Sequence, residues 1–135
     1  MPTNIFVNLP VADLDAAKVF FGKLGFTFNA QFTDETAAAM VISDTIYAML
    51  LTHEKFKAFT PKAIADARTS SEVLIAISRD SREAVHTMVD AALAAGATEA
   101  RPADDYGFMM SRAFNDLDGH IWEIMWMDPA AVQPS

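Results

Sequence analysis

Glu123 is the residue of this sequence that most invites a chemical reading. It sits inside the apolar run His120-Ile121-Trp122-Glu123-Ile124-Met125, directly after the turn residues Asp116-Leu117-Asp118-Gly119. A carboxylate on a hydrophobic strand is costly unless it is paired, hydrogen-bonded or bound to a cation. Glu123 therefore has a structural partner, or it belongs to a site where it serves as a base or holds an ion. Arg112 poses the same question from the other sign, as the one cation in the apolar strand Phe108 to Phe114. It has three readings: an ion pair with Glu123 or Glu72, a contact to an anionic group of a ligand, or an outward position on a half-exposed strand.

Phe6, Tyr106 and Trp122 are aromatics able to line a pocket. The two-residue period of a strand sets Trp122 and Trp126 opposite Glu123, which predicts that they pack under a helix or at a subunit interface. Met40, Met49, Met109, Met110, Met125 and Met127 give a soft interior, with packing as the expected role of most. His86 and His120 read as helix-surface and turn residues. The sequence holds no Ser-His-Asp arrangement, phosphate-cradling glycine loop or HExxH. With no cysteine at all, thiolate metal sites and a cysteine nucleophile are excluded.

The elements that must position these residues read as one unit used twice. Ile5 to Val11 is an extended run rich in β-formers, followed by Asp13 as an N-cap. Leu14, Ala17, Phe20, Phe21 and Leu24 then recur at helical spacing until Gly25 stops the helix. Strands are expected over Phe26 to Phe32, Ala37 to Ile42 and Ile46 to Thr52, with turn chemistry at Asp34-Glu35 and Ser43-Asp44. The second pass repeats the order: Val73 to Ser78 as a strand, Asp80-Ser81 as caps, and a helical stripe of Val85, Met88, Val89, Ala92 and Leu93 stopped by Gly96. Strands follow over Thr98 to Arg101, Phe108 to Phe114 and His120 to Met127. Each copy reads βαβββ. The expected division of the single domain, 1–135, is unit one over about 1–53, a linker over about 54–71, unit two over about 72–128 and a tail at 129–135. Thr60-Pro61 in the linker can start a short helix.

Composition limits the function. A chain of 135 residues, 52% hydrophobic and 21% charged, suits one soluble domain with a substantial core. No apolar run approaches the roughly 20 residues that a membrane span needs. Met1-Pro2-Thr3-Asn4 lacks the basic and apolar regions of a secretory signal, and the lack of cysteine fits a reducing cytosol. A net charge of -8 argues against a phosphate backbone as partner. The expectation is a cytoplasmic protein that binds neither nucleic acid nor membrane.

With these pieces in order, the chain resembles the vicinal oxygen chelate superfamily, which contains glyoxalase I, bleomycin-resistance proteins and extradiol dioxygenases. The resemblance covers nearly the whole chain. It rests on Leu9-Pro10-Val11-Ala12-Asp13-Leu14, Phe20-Phe21 and Leu24-Gly25-Phe26 in the first unit, and on Ala94-Ala95-Gly96-Ala97 and Asp116 through Glu123 in the second. The chain is most similar to the glyoxalase-like branch labelled predicted lactoylglutathione lyase. The resemblance implies an α+β fold whose paired βαβββ units form a curled mixed sheet around a cavity, with helices outside, and a homodimer. It also implies a divalent metal (Ni, Zn, Mg or Mn) held by four strand side chains, one from the first and one from the last strand of each unit, acting as a Lewis acid on vicinal oxygens.

Carried over position by position, the resemblance gives Glu123 the carboxylate-ligand position. It puts Phe6 where a His, Glu or Gln is expected, and a phenyl ring cannot coordinate a metal. Asn8, on the same face as Phe6, offers an amide oxygen to a cation or a substrate. Met49 or Leu50 stands at the glutamate position of the first unit, and neither binds a hard cation. Glu72 or Val73 takes the remaining position, Glu72 when Glu72 through Ile77 is set against Phe6 through Val11. Glu72 and Glu123 alone would hold Mg or Mn weakly.

Three functions are open on this reading. One is a binder of a small organic molecule with a degenerate metal site, in which Phe6, Asn8, Met49, Tyr106 and Arg112 contact the ligand. Another is a metal-dependent lyase, isomerase or dioxygenase with Glu123 catalytic and Glu72 and Glu123 on the ion. The last is a protein that acts by association, its cavity filled by its own side chains. The binder is favoured, because Phe6 and Met49 make the cavity more apolar, as ligand pockets usually are.

Overall fold

A computed structural model of the chain describes residues 2–131. The fold is α+β and divides after Asp66 into two compact units, each built on a four-stranded mixed sheet. Among the described residues no helix is long and apolar enough to cross a membrane.

The first unit runs β1 (Ile5–Val11), α1 (Leu14–Lys23), β2 (Thr27–Phe28), a 3₁₀ turn (Ala30–Phe32), β3 (Ala37–Val41), β4 (Ile46–Thr52) and α2 (His53–Lys57). Its strand order is β1-β4-β3-β2, with β1 parallel to β4 and the other pairs antiparallel. The α1 helix starts where expected, because the Asp13 carboxylate accepts from the Ala16 N–H at 3.0 Å. It stops at Gly25, whose φ of +103° only glycine adopts without strain. Between these ends Leu14, Ala17, Phe20 and Phe21 are buried, and α1 packs on β3 and β4. The core beneath is Leu9, Val11, Ala38, Met40, Ala48 and Leu50.

Two local expectations are corrected. The strand expected over Phe26 to Phe32 is only Thr27–Phe28, because the Asn29 side chain accepts from the Gln31 N–H at 3.0 Å and turns the backbone out of the ladder. The short helix expected at Thr60-Pro61 forms earlier, as α2, where Thr52 caps it by accepting from the Lys55 N–H at 3.2 Å. The Thr60 hydroxyl instead accepts from the Lys62 N–H at 3.1 Å, a local turn.

The second unit runs β5 (Ile75–Ser78), α3 (Arg82–Ala94), β6 (Thr98–Asp105), β7 (Met109–Asn115), β8 (Ile121–Met127) and a closing 3₁₀ turn (Pro129–Ala131). Its strand order, β5-β8-β7-β6, repeats the first, with β5 parallel to β8. Ser81 caps α3, which lays Val85, Met88, Val89 and Ala92 on β7 and β8. Trp122 is fully buried on the strand face opposite Glu123, the α3 side. The edge strand β6 extends to Asp105, beyond the expected Arg101. It carries register shifts on both sides of Arg101, next to Pro102, which has no N–H for the ladder.

Candidate functional site

Strand parity builds a cavity in the first unit. Leu9 and Val11 of β1, with Ala48 and Leu50 of β4, are buried on the helix side of the sheet. Phe6 and Asn8, paired in register with Tyr47 and Met49, therefore point to the other face. Those four side chains, with Asn4, Asn29, Phe32 and Ala39, line a cavity of about 470 Å³. Leu50 is fully buried on the helix side, so of the two alternatives at that position the cavity residue is Met49. Phe6 stacks on Tyr47 with ring centroids 5.0 Å apart and planes 11° from parallel, and it remains 53% exposed. The Tyr47 hydroxyl donates to the Asp44 carbonyl at 3.1 Å, which fixes the ring.

One row of residues crosses the sheet at this site: Asn8 on β1, Met49 on β4, Ala39 on β3, and Asn29, whose N–H donates to the Ala39 carbonyl at 2.9 Å. The corresponding row in the second unit is Ala76 on β5, Glu123 on β8, Ala113 on β7 and Arg101 on β6. There the small Ala113 lets its two neighbours meet over it. Arg101 Nη2 reaches Glu123 Oε2 at 2.9 Å, and Arg101 also approaches Ser111 Oγ at 3.3 Å and Asp104 at 3.8 Å. Arg101 is the residue that the sequence reading missed. Its signal was a small residue on the strand between two opposite charges.

Arg112 does not join Glu123 or Glu72. In register it pairs with Ile124, while Ala113 pairs with Glu123, so Arg112 projects from the other face. There it bonds Asp90 at 2.9 Å and His86 Nδ1 at 3.1 Å on α3, and Glu99 at 3.5 Å on β6. Glu72 lies ahead of β5 in exposed chain, and the residue of β5 beside Glu123 is Ala76. Asn8 and Ala76, the residues paired with Met49 and Glu123, each lie five residues before their helix cap, Asp13 and Ser81, so the counterpart of Phe6 is Leu74 and Glu72 falls two residues ahead of it. Tyr106 is exposed in the β6–β7 turn, with its ring centroid 6.4 Å from that of Phe108. Arg82 pins this turn. It forks onto Asp105 at 2.7 and 3.0 Å, donates to the Gly107 carbonyl at 2.6 Å and lies over the Trp126 ring. The Arg82 guanidinium, with the Gly107 N–H, draws the Asp105 carboxyl down to about 2.

The turn before β8 is held by Asp116, which is buried. One carboxylate oxygen accepts from the Asp118 and His120 N–H groups at 2.9 and 3.0 Å, and the other from the Trp122 indole at 3.0 Å. Burial pushes its carboxyl above the usual range, against the pull of His120 and of these donors. Gly119 is required: at φ +92° a Cβ would lie 2.9 Å from the backbone of Ala67 and Arg68.

The donors at the metal positions implied by the resemblance do not fit a divalent cation. Phe6 and Met49 supply no hard ligand, Ala76 supplies no ligand at all, and Glu123 already carries a guanidinium at 2.9 Å. Among the described residues no three His, Asp or Glu side chains group in a way that could hold a metal ion.

Comparison with known proteins agrees with the architecture. The family described as bleomycin resistance protein-like N-terminal matches residues 3–43, which run from β1 through β3 of the unit that carries the cavity. The hypothetical protein SA1046 from S. aureus superposes with a TM-score of 0.77 at 23% identity, over 93% of this chain and 95% of that one. A glyoxalase/bleomycin resistance protein/dioxygenase family enzyme from Burkholderia phytofirmans PsJN gives 0.77 at 18% identity, over 90% and 96%. The fosfomycin resistance protein FosX from Listeria monocytogenes gives 0.66 at 17% identity, over 93% of each chain. No curated protein matches the sequence. The fold is that of the glyoxalase, bleomycin-resistance and dioxygenase proteins. This fold, with the family match over residues 3–43, agrees with the resemblance to the vicinal oxygen chelate superfamily. Because one scaffold hosts many chemistries, function has to be argued from the site.

Proposed function

We propose that the protein binds a small organic molecule in the cavity of its first unit, without a metal ion. The observation that carries this reading is the cavity of about 470 Å³ whose wall includes Phe6 and Met49, at positions where the superfamily resemblance implies metal ligands. The volume suits a compact ligand, and an apolar wall with a few convergent polar groups is the usual build of a binding pocket. Phe6 and Met49 supply contact area, and Asn8 orients the ligand. Arg112, committed to α3, and Tyr106, on an exposed turn, take no part. The reading includes a homodimer in the cytosol, supported by the exposed Ile5 and Ile46 on the first sheet and by the absence of cysteine.

The alternative, a glyoxalase-type enzyme with Glu72 and Glu123 on a metal, would require Arg101 to release Glu123. A thermal-shift screen of organic compounds, run with and without EDTA, separates the two. A ligand at 100 times its Kd adds about 2.7 kcal/mol, on the order of 10 °C in Tm for a domain of this size. The expected result is stabilisation that persists in EDTA. Stabilisation that disappears in EDTA and returns with Ni, Zn, Mg or Mn would overturn the metal-free reading.

A further inference from the structure

Resting on that reading, we infer that the cavity's occupant is an uncharged, planar molecule carrying amide-like groups that both donate and accept hydrogen bonds. The cavity wall contains no Asp, Glu, Lys, Arg or His. An ion settling against this wall would give up part of its water without meeting a countercharge. The protein's net charge of -8 draws cations to the molecule as a whole, yet none of its carboxylates lines this cavity. The polar groups present are instead carboxamides, which offer donors and an acceptor at once.

Their placement narrows the class further. Asn4, Phe6 and Asn8 follow one another at alternate positions of one chain segment, so amide, ring and amide stand about 6.6 Å apart per step. Asn29 closes the row from the far side of the sheet. Its side-chain oxygen already accepts from the Gln31 N–H at 3.0 Å, which leaves its NH2 to donate to a ligand carbonyl. The ring between the amides favours a flat partner. Phe6 and Tyr47, stacked 5.0 Å apart, give the cavity a rigid aromatic wall against which a ligand ring lies.

Benzamide, benzoate and benzamidine have nearly the same shape and differ in charge. Cyclohexanecarboxamide keeps the amide and loses the plane. Each is titrated into the full chain and followed by backbone amide NMR shifts. Benzamide is expected to shift Phe6, Asn8, Tyr47 and Met49 and to bind at least about tenfold tighter than either ion, and several-fold tighter than the saturated amide. In Asn8→Asp the order reverses toward benzamidine, because the new carboxylate gives the cation a charge-assisted bond. Asn8 is exposed, so that variant is expected to fold normally. Equal or tighter binding of a charged probe at these residues overturns the ligand class while leaving the cavity a binding site. Equal binding of cyclohexanecarboxamide overturns the planar requirement. If none of the four probes shifts these residues at millimolar concentration, both the cavity's role and the ligand class fall.

Discussion

The two units share strand order, helix placement and a small alanine at the centre of one row of the sheet, yet they use that row in opposite ways. In the first unit Asn8, Met49, Ala39 and Asn29 leave an uncharged, open concavity. In the second, Ala76, Glu123, Ala113 and Arg101 put two full charges on the same row, and those charges find each other at 2.9 Å. A charged pair on a sheet face satisfies itself and closes over its neighbours. Uncharged amides and a thioether do not, so the space above them stays available. The conspicuous carboxylate of the sequence therefore marks the unit whose row is internally satisfied. The quieter residues mark the proposed binding surface.

The largest expected effect separates the two turns that lead into β4 and β8. Asp116→Ala strips an acceptor from three N–H groups, including the indole of the fully buried Trp122. Leaving buried donors unpaired costs about 1–3 kcal/mol for each that water cannot reach. A loss of about 3 kcal/mol in urea denaturation is expected. Asp44 stands in the turn before β4 and is exposed, and only its backbone carbonyl meets the Tyr47 hydroxyl. Asp44→Ala should stay within about 0.5 kcal/mol of wild type. Similar losses for the two variants would refute the special role given to Asp116.

The central alanines provide the next test. Ala113→Leu pushes a larger side chain between Arg101 and Glu123, and overpacking of a filled site costs about 1–3 kcal/mol. Ala39→Leu instead adds its carbons to the floor of an open cavity. It should change stability less than Ala113→Leu and abolish the benzamide-induced NMR shifts. Retained ligand binding in Ala39→Leu would show that the ligand sits elsewhere. A larger stability loss there than in Ala113→Leu would show that the first row is not open.

How far the sequence exposed these features depends on how local their causes are. The α1 and α3 helices were legible because cap, apolar stripe and glycine stop lie within one short segment of chain. The short β2 was not, since the capping of the next turn by Asn29 outcompetes an otherwise good strand pattern. Phe6 and Asn8 could be assigned to one face because β1 is regular and parity holds along it, whereas the choice between Met49 and Leu50 needed the register of β4 against β1. Arg101 was hidden by the bulges of β6 beside Pro102, which break the parity count on the very strand that supplies Glu123's partner. Arg112 kept three readings for a related reason: the register of β7 against β8 depends on the length of the turn held by Asp116, which alternation along one strand does not reveal.

The smallest expected effect concerns acid. Asp34 in the first unit and Asp105 in the second are both exposed and both held below the usual carboxylate range. The Thr36 N–H and hydroxyl are the first causes at Asp34, whereas the Arg82 guanidinium is the first cause at Asp105. A carboxyl lowered by folding stabilises the folded state above its ordinary value of 3.8, and that contribution is lost as pH falls toward about 2. Buried Asp116 has the opposite sign. Raised by folding, it contributes fully below 3.8 and progressively less as pH rises through its folded value. Arg82→Met should therefore reduce stability at pH 5 and flatten the decline between pH 4 and 2. The difference from wild type should shrink in high salt, because an exposed ion pair is screened. Thr36→Val removes only a neutral hydroxyl from Asp34, so its stability difference should be nearly independent of salt. Salt-insensitive loss in Arg82→Met would mean that Arg82 acts through its contacts with Gly107 and Trp126, and the contrast between a charge-held and an amide-held carboxylate would fall with it.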